Sequence, residues 1–240
     1  MIRGITYSDQ KMTIAAEKCI ESMRNHGFDE AVAYSDWDLD FEFREMNKEV
    51  LSQKRGCGYW LWKPWVINQE VLRLTDGDIL VYADAGVEFV NSVQHIVSRM
   101  DEDIFFFTNG FNHVEWCKGN VMKSINGGFV DSFAKQVQAS VIFFKVNDKT
   151  RAFVKEWLLY SQLPGFIDDS DMGPNFPTFA DHRHDQAILT CLQIKYGYKL
   201  HFWPTNYSEH IRHTARPEDS YPTMFNHHRK RNHEWKEVLA

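Results

Sequence analysis

Four stretches of the chain carry side chains with chemistry to offer. In "GDILVYADAG" an apolar run over residues 79–82 ends in one carboxylate, Asp84, between Ala83 and Ala85 and followed by Gly86. A carboxylate at a strand end can hold Mg²⁺ or Mn²⁺, which take one or two carboxylates and complete their shells with phosphate oxygens and water. An Asp here equally suits a turn or helix cap. No GxGxxG or P-loop follows, so the usual phosphate cradle of dinucleotide and NTPase sites is missing. In "GCGYWLWKPW", Tyr59, Trp60, Trp62 and Trp65 surround Lys63. Such rings stack on a base or a sugar face, or pack a helix onto a sheet, and Lys63 is a point charge suited to phosphate.

In "FADHRHDQAILTCL", His182, Arg183, His184, Asp185 and Gln186 crowd the start of a helix whose apolar face is Ile188, Leu189 and Leu192. Helix N-termini favour anions, and a polar cluster there can hold sugar hydroxyls, activate a hydroxyl through Asp185 or meet a diphosphate through Arg183. In "FNHHRKRNHEW", His227, His228, Arg229, Lys230 and Arg231 stand together. A late His can complete an oxygen-rich metal site, while the basic run alone reads as a solvated terminus. "SDWDLDFEF" spaces Asp36, Asp38 and Asp40 like a calcium loop but lacks its Gly and its closing Glu, so it reads as a strand edge or loop with a structural role.

The elements that must position these residues alternate. Strands are expected over 2–7, 31–35, 79–83, 104–108, 140–146 and 199–203. Helices are expected over 11–27, 64–74, 93–100, around Phe153 and Trp157, and over 184–196. That alternation predicts an α/β fold, a mostly parallel central sheet with helices on both faces. Ligands of such sheets bind beyond the carboxyl ends of the strands. Asp84 sits at such an end, and Gly86 is expected to allow a sharp backbone turn there.

The 240 residues show no linker or repeat, so a single domain over 1–240 is expected. With 43% hydrophobic and 15% aromatic residues a large core is available. A net charge of -6 and a pI near 6.0 argue against a nucleic-acid binder. The chain shows no membrane-span-length apolar run and no secretory signal, so a soluble cytoplasmic protein is the default expectation. Cys19, Cys57, Cys117 and Cys191 have no CxxC spacing and read as buried free thiols, not a disulfide or zinc framework.

"GYWLWKP", the strand ending "ADAG", "SVIFFK", "HRHDQ" and "HHRKR" together resemble the small GT-A-fold (Rossmann-like) glycosyltransferases of bacterial polysaccharide clusters and large DNA viruses. The N-terminal domain of the chlorovirus capsid glycosyltransferase is similar in kind. The resemblance implies transfer of a sugar from a nucleotide-sugar donor, UDP-linked by preference, to a glycan or protein-linked glycan acceptor, as in polysaccharide biosynthesis. It implies Mn²⁺ or Mg²⁺ on the donor diphosphate, held by Asp84 and by His227 or His228, with Gly86 standing where a DxD motif has its second Asp. Asp185 and Gln186, matching the Asp-Gln helix start of the glycogenin and lipopolysaccharide galactosyltransferase group, are the implied catalytic pair. Asp185 would deprotonate the acceptor, giving inversion, or orient the donor, leaving retention open. Thr6 and Tyr7 would border the base, and Lys63, Asp84, Ala85, Arg183, His184 and Arg229 would meet the rest of the donor. The competing readings are a metal-dependent phosphohydrolase, which needs further carboxylates on neighbouring strand ends, and a nucleotide- or glycan-binding module without turnover.

Overall fold

Short runs rich in Ile, Val, Phe and Tyr, separated by amphipathic stretches with caps and glycine stops, build alternating strands and helices. The computed structural model describes residues 1–205, 221–228 and 230–236. Its elements are β1 (Ile2–Tyr7), α1 (Thr13–Asn25), β2 (Glu30–Tyr34), α2 (Phe41–Met46), α3 (Lys48–Leu51), α4 (Gly56–Tyr59), α5 (Trp62–Arg73), β3 (Ile79–Ala83), β4 (Val87–Phe89) and α6 (Gln94–Val97). There follow β5 (Ile104–Asn112), α7 (Gly119–Ile125), β6 (Lys135–Lys145), α8 (Asp148–Ser161), α9 (His184–Tyr196), β7 (Leu200–His201), β8 (Phe225–His227) and α10 (Asn232–Lys236).

Six strands form one sheet in the order β2-β1-β3-β6-β5-β7. β1 pairs in parallel with β2 and β3, and β5 with β7; only β6 runs against its neighbours. β5 and β6 form a broad hairpin around α7, with Asn112 opposite Lys135, so β6 returns without a crossover. Leu80 and Tyr82 of β3 pack into one core with α5, α7, α8 and α9. Ile79, Val81 and Ala83 face the other, with α1, α6, β4 and β8. That period of two places helices on both faces of a sheet buried on both sides. The α/β, mostly parallel architecture expected from the sequence is the one observed.

Several boundaries differ from expectation. β6 begins at Lys135, five residues before the apolar "SVIFF" run, because Gln136, Gln138 and Ser140 are polar yet buried. The helix expected over 93–100 is one turn, α6, and the last strand shrinks to Leu200–His201. The "SDWDLDFEF" segment is no strand edge: Asp38 closes a capping box with Ser35, and Asp40 accepts from Phe43 N–H at the start of α2. Its carboxylates cap helices, which accounts for their spacing.

Candidate active site

A cleft of about 900 Å³ opens where β1 and β3 end, and it gathers residues from all four chemistry-bearing stretches. The "ADAG" segment leaves β3 with Asp84 N–H donating to Ser140 C=O, then turns, Val87 N–H closing onto Asp84 C=O. Gly86 is absent from the left-handed residues, so its contribution here is the lack of a side chain at the cleft wall. β4 follows at once and pairs with β8, setting Val87 opposite His227. This small second sheet carries a residue from the far end of the chain to the end of β3.

α5 supplies the centre of the site. Lys63, in its first turn, is 2% exposed. Its Nζ lies 3.0 Å from Asp185 Oδ2, 3.1 Å from Asp84 Oδ1 and 3.2 Å from Ala139 C=O. Of these three neighbours the Ala139 carbonyl accepts a hydrogen bond, and the two carboxylates are ion-pair partners. Lys63, expected to contact phosphate, lines the cleft with its charge already shared between two carboxylates. Burial alone would lower its pKa, but Asp185 and Asp84 outweigh it and raise the value. Asp185, also buried, shows the other side of that balance. Burial raises its pKa from 3.8 to about 6, Lys63 opposes and Asp84 adds to the rise. One cation shared between two anions thus does not fully offset the burial of Asp185. Asp84 keeps a 32% exposed side chain, with Tyr82 OH donating to the same Oδ1 at 2.6 Å.

Asp185 is aimed by an unusual helix start. His184 has φ of 50°, a left-handed conformation costing a residue with a Cβ about 1–2 kcal/mol. Its ring offsets this by an Nδ1–H bond to Ile167 C=O (2.7 Å) and by stacking on Tyr59 and Trp60. Those rings come from an equally unusual turn, since Gly56, Cys57, Gly58, Tyr59 and Trp60 are all left-handed. At Gly58 a Cβ would fall 2.7 Å from Leu51 Cα. Trp62 stacks on Tyr7 at 3.9 Å and Trp65 on Phe43. The aromatic stretch is thus largely scaffold, with Trp60 and Trp62 also lining the cleft. Cys57, expected buried, is half-buried there and donates to Asp9 at 3.3 Å.

Gln186 donates to Gln136 Oε1 at 2.7 Å and accepts from Ala139 N–H, which fixes its amide in the cleft. Arg183 lies over Trp116, Cζ 4.2 Å from the ring centroid, and both line the cleft with His184, Asp185, Tyr7 and Ala85. Thr6 does not: it is fully buried beneath, and Tyr7 and Ser8 line the cleft in its place. Of the two candidate histidines, His227 lines the cleft with Asp84. His228, the other expected metal ligand, is not among the residues lining the cleft: its Nδ1 accepts from Lys230 N–H and its ring lies against Trp235. Arg229 lies outside the described residues. His182 is a structural neutral imidazole, bonded to Lys118 N–H and Phe166 C=O, its pKa pushed down to about 3 chiefly by burial.

Sequence reading missed Asp9, Lys11, Lys54, Arg55, Asn109, Gln136 and Gln138 of the lining. The alternating polar positions of "QVQAS" are the one signal that could have marked Gln136, Gln138 and Ser140 as a polar row on a buried strand. The lining contains six basic side chains (Lys11, Lys54, Arg55, Lys63, Arg183, Arg231) against three acidic ones (Asp9, Asp84, Asp185). In a chain of net charge -6 this is a local excess of basic side chains, of which Lys63 and Arg55 are paired with carboxylates. No helix among the described residues is long and apolar enough to cross a membrane.

No family model matches the chain, and neither does any curated protein sequence. Solved structures do match its fold. A glycosyltransferase involved in the glycosylation of the major capsid of PBCV-1 aligns with TM-score 0.51 at 16% identity, over 99% of this chain and 98% of that one. The galactosyltransferase LgtC, solved with donor and acceptor sugar analogs, aligns with TM-score 0.53 at 14% identity, over 95% and 87%. The bifunctional glycosyltransferase WbbM aligns with TM-score 0.54 at 10% identity, over 95% of this chain and 46% of that one. The strand order, the cleft beyond β1 and β3 and these likenesses agree: the chain has the GT-A glycosyltransferase fold.

Proposed function

We propose that the protein is a glycosyltransferase that takes its sugar from a nucleotide diphosphate sugar, UDP-linked by preference, and passes it to a glycan or glycan-bearing acceptor. The observation that carries this reading is a cationic cleft whose centre is a buried Lys63 tying Asp84 to Asp185. Arg183, Arg231 and Lys11 are the basic groups suited to a diphosphate. Tyr7, stacked on Trp62 at the end of β1, offers a flat surface for the base. Asp84 and His227 share the cleft, and among the described residues the side chain of Asp84 is held through Oδ1, by Lys63 and Tyr82, with Oδ2 left for a ligand. One carboxylate and one imidazole suit a divalent cation that takes its other ligands from phosphate and water. When bound, such a cation would offset the charge of the departing nucleoside diphosphate.

The chain's own groups account for the rest. Lys63 holds Asp84 in place and lowers the cost of ionising Asp185 in its buried setting. Above about pH 6 Asp185 is a carboxylate able to accept hydrogen bonds or a proton from a sugar hydroxyl, beside the fixed amide of Gln186. The phosphohydrolase reading gains no such support. Among the described residues, the one group of three His, Cys or acidic side chains close enough to share an ion lies elsewhere, at His113, Cys117 and Cys191. Calorimetric titration with UDP, with Mn²⁺ and then with EDTA, followed by a screen of UDP-sugars, tests the proposal. Mn²⁺-dependent UDP binding, lost in Asp84→Ala, and UDP release from a donor are expected. Binding without turnover of any donor would favour a binding module, and no UDP binding in either buffer would refute UDP as the nucleotide.

A further inference from the structure

A second cluster of reactive side chains lies in the core, away from the cleft. His113 opens the turn after β5, Cys117 follows it four residues later, and Cys191 lies within α9, six residues past Asp185. His113 Nε2 is 3.3 Å from Cys191 Sγ, and the two sulfurs are 3.9 Å apart. One ligand atom from each residue falls within 4.8 Å of the others. Both cysteines are fully buried, and His113 is 1% exposed.

Ordinary core packing explains this arrangement poorly. The Nε2 of the buried imidazole meets a thiol, a weak donor and acceptor, and its Nδ1, which an ion at Nε2 would leave to carry the proton, has no hydrogen-bond partner among the described residues. A buried polar ring so poorly satisfied is costly. With Zn–S near 2.3 Å and Zn–N near 2.0 Å, ligands of one tetrahedral ion stand roughly 3.5–3.8 Å apart. The 3.3 Å from nitrogen to sulfur and the 3.9 Å between sulfurs lie close to that spacing, and the third pair is within 4.8 Å. A disulfide would need the sulfurs at about 2 Å. We propose that His113, Cys117 and Cys191 form a site for one thiophilic cation, Zn²⁺ or Cu⁺, inside the core. Two thiolates and an imidazole are the donor set that such ions select over Mg²⁺ or Mn²⁺. Three ligands satisfy Cu⁺. Zn²⁺ takes a fourth, and the Lys118 carbonyl already lies 3.6 Å from Cys117 Sγ. The ion would fasten the segment after β5 to α9, the helix whose first turn presents Asp185 and Gln186. This revises the expectation that all four cysteines are free thiols and not a zinc framework.

The test begins with elemental analysis of the protein as isolated, then titrates chelator-stripped, reduced wild type with Co²⁺, Zn²⁺ and Cu⁺. One equivalent of ion, a thiolate-to-Co²⁺ charge-transfer band displaced by Zn²⁺ (or stoichiometric Cu⁺ binding against a chromophoric competitor) and a rise in Tm on loading are expected. Binding should be lost in Cys117→Ser and Cys191→Ser and kept in Cys57→Ser, the thiol of the cleft. X-ray absorption separates the two ions by coordination number. The wild-type titrations stand even if a core variant does not fold. No binding of any of the three ions, a Cys117–Cys191 disulfide found by thiol counting, or binding lost only in Cys57→Ser would each overturn the proposal.

Discussion

Helix α5 buries two charged side chains seven residues apart on one face, Lys63 and Glu70, and they meet different fates. Glu70 is fully buried among Arg3, Arg73 and the Tyr34 hydroxyl, a network in which each member has a partner and none lines the cleft. Lys63 is as deeply buried, but its carboxylates, Asp84 and Asp185, belong to the cleft wall. Burial of charge alone therefore does not mark a functional site. What marks it is a buried ion pair one of whose members also faces space where a ligand fits.

Substitutions at the two positions should separate these roles. Lys63→Met should lower sugar transfer by on the order of 100-fold, because Asp84 and Asp185 lose both position and counter-charge. Glu70→Gln should instead cost stability, about 1–3 kcal/mol by chemical denaturation, since Arg3, Arg73 and the Tyr34 hydroxyl lose a charged hydrogen-bond acceptor. The turnover of its folded fraction should stay near wild type. Equal loss of kcat in both variants would erase the distinction.

A finer test uses pH. Asp185 has a folded pKa raised above its ordinary value, so the native state holds that proton more tightly than the unfolded chain does. The cost of burying its charge is absent below about pH 4, appears as pH rises towards about 6 and is constant above. A reaction that needs the carboxylate should rise through an apparent pKa near 6, and in Lys63→Met that limb should move upward. A pH–rate profile flat from 5 to 8 would remove Asp185 from the chemistry.

The smallest contrast is between adjacent histidines. His227→Ala should weaken Mn²⁺-dependent UDP binding by about 10–100-fold. His228→Ala should leave that binding intact and lower Tm by a few degrees through its lost contact with Trp235. Reversed effects in a calorimetric titration would exchange their roles.

The strands were legible where apolar residues ran together, as in β3 and β5, and α9 was legible to its ends because its polar start and Gly197 stop are local signals. Asp84 and Asp185 could be read for the same reason: each stands at a boundary between an apolar element and a turn. The neutralisation of Lys63 was not legible, since it depends on β3, β6 and α9 meeting one helix start from far along the chain. Nor was the choice between His227 and His228, which rests on the register of β8 against β4. Gln136 and Gln138 were hidden because a polar strand buried by tertiary structure looks like a loop in one dimension.

The most direct measurement is UDP release from a panel of UDP-sugars by wild type and Asp185→Asn, alongside their unfolding temperatures. Wild type should turn over at least one donor, and Asp185→Asn should be slower by on the order of 100-fold with Tm within a few degrees of wild type, because the amide removes a charge that burial penalises while Lys63 keeps Asp84 as its counter-ion. Wild-type rates of UDP release from Asp185→Asn would contradict the assignment of the Lys63-bridged carboxylates as the reacting centre.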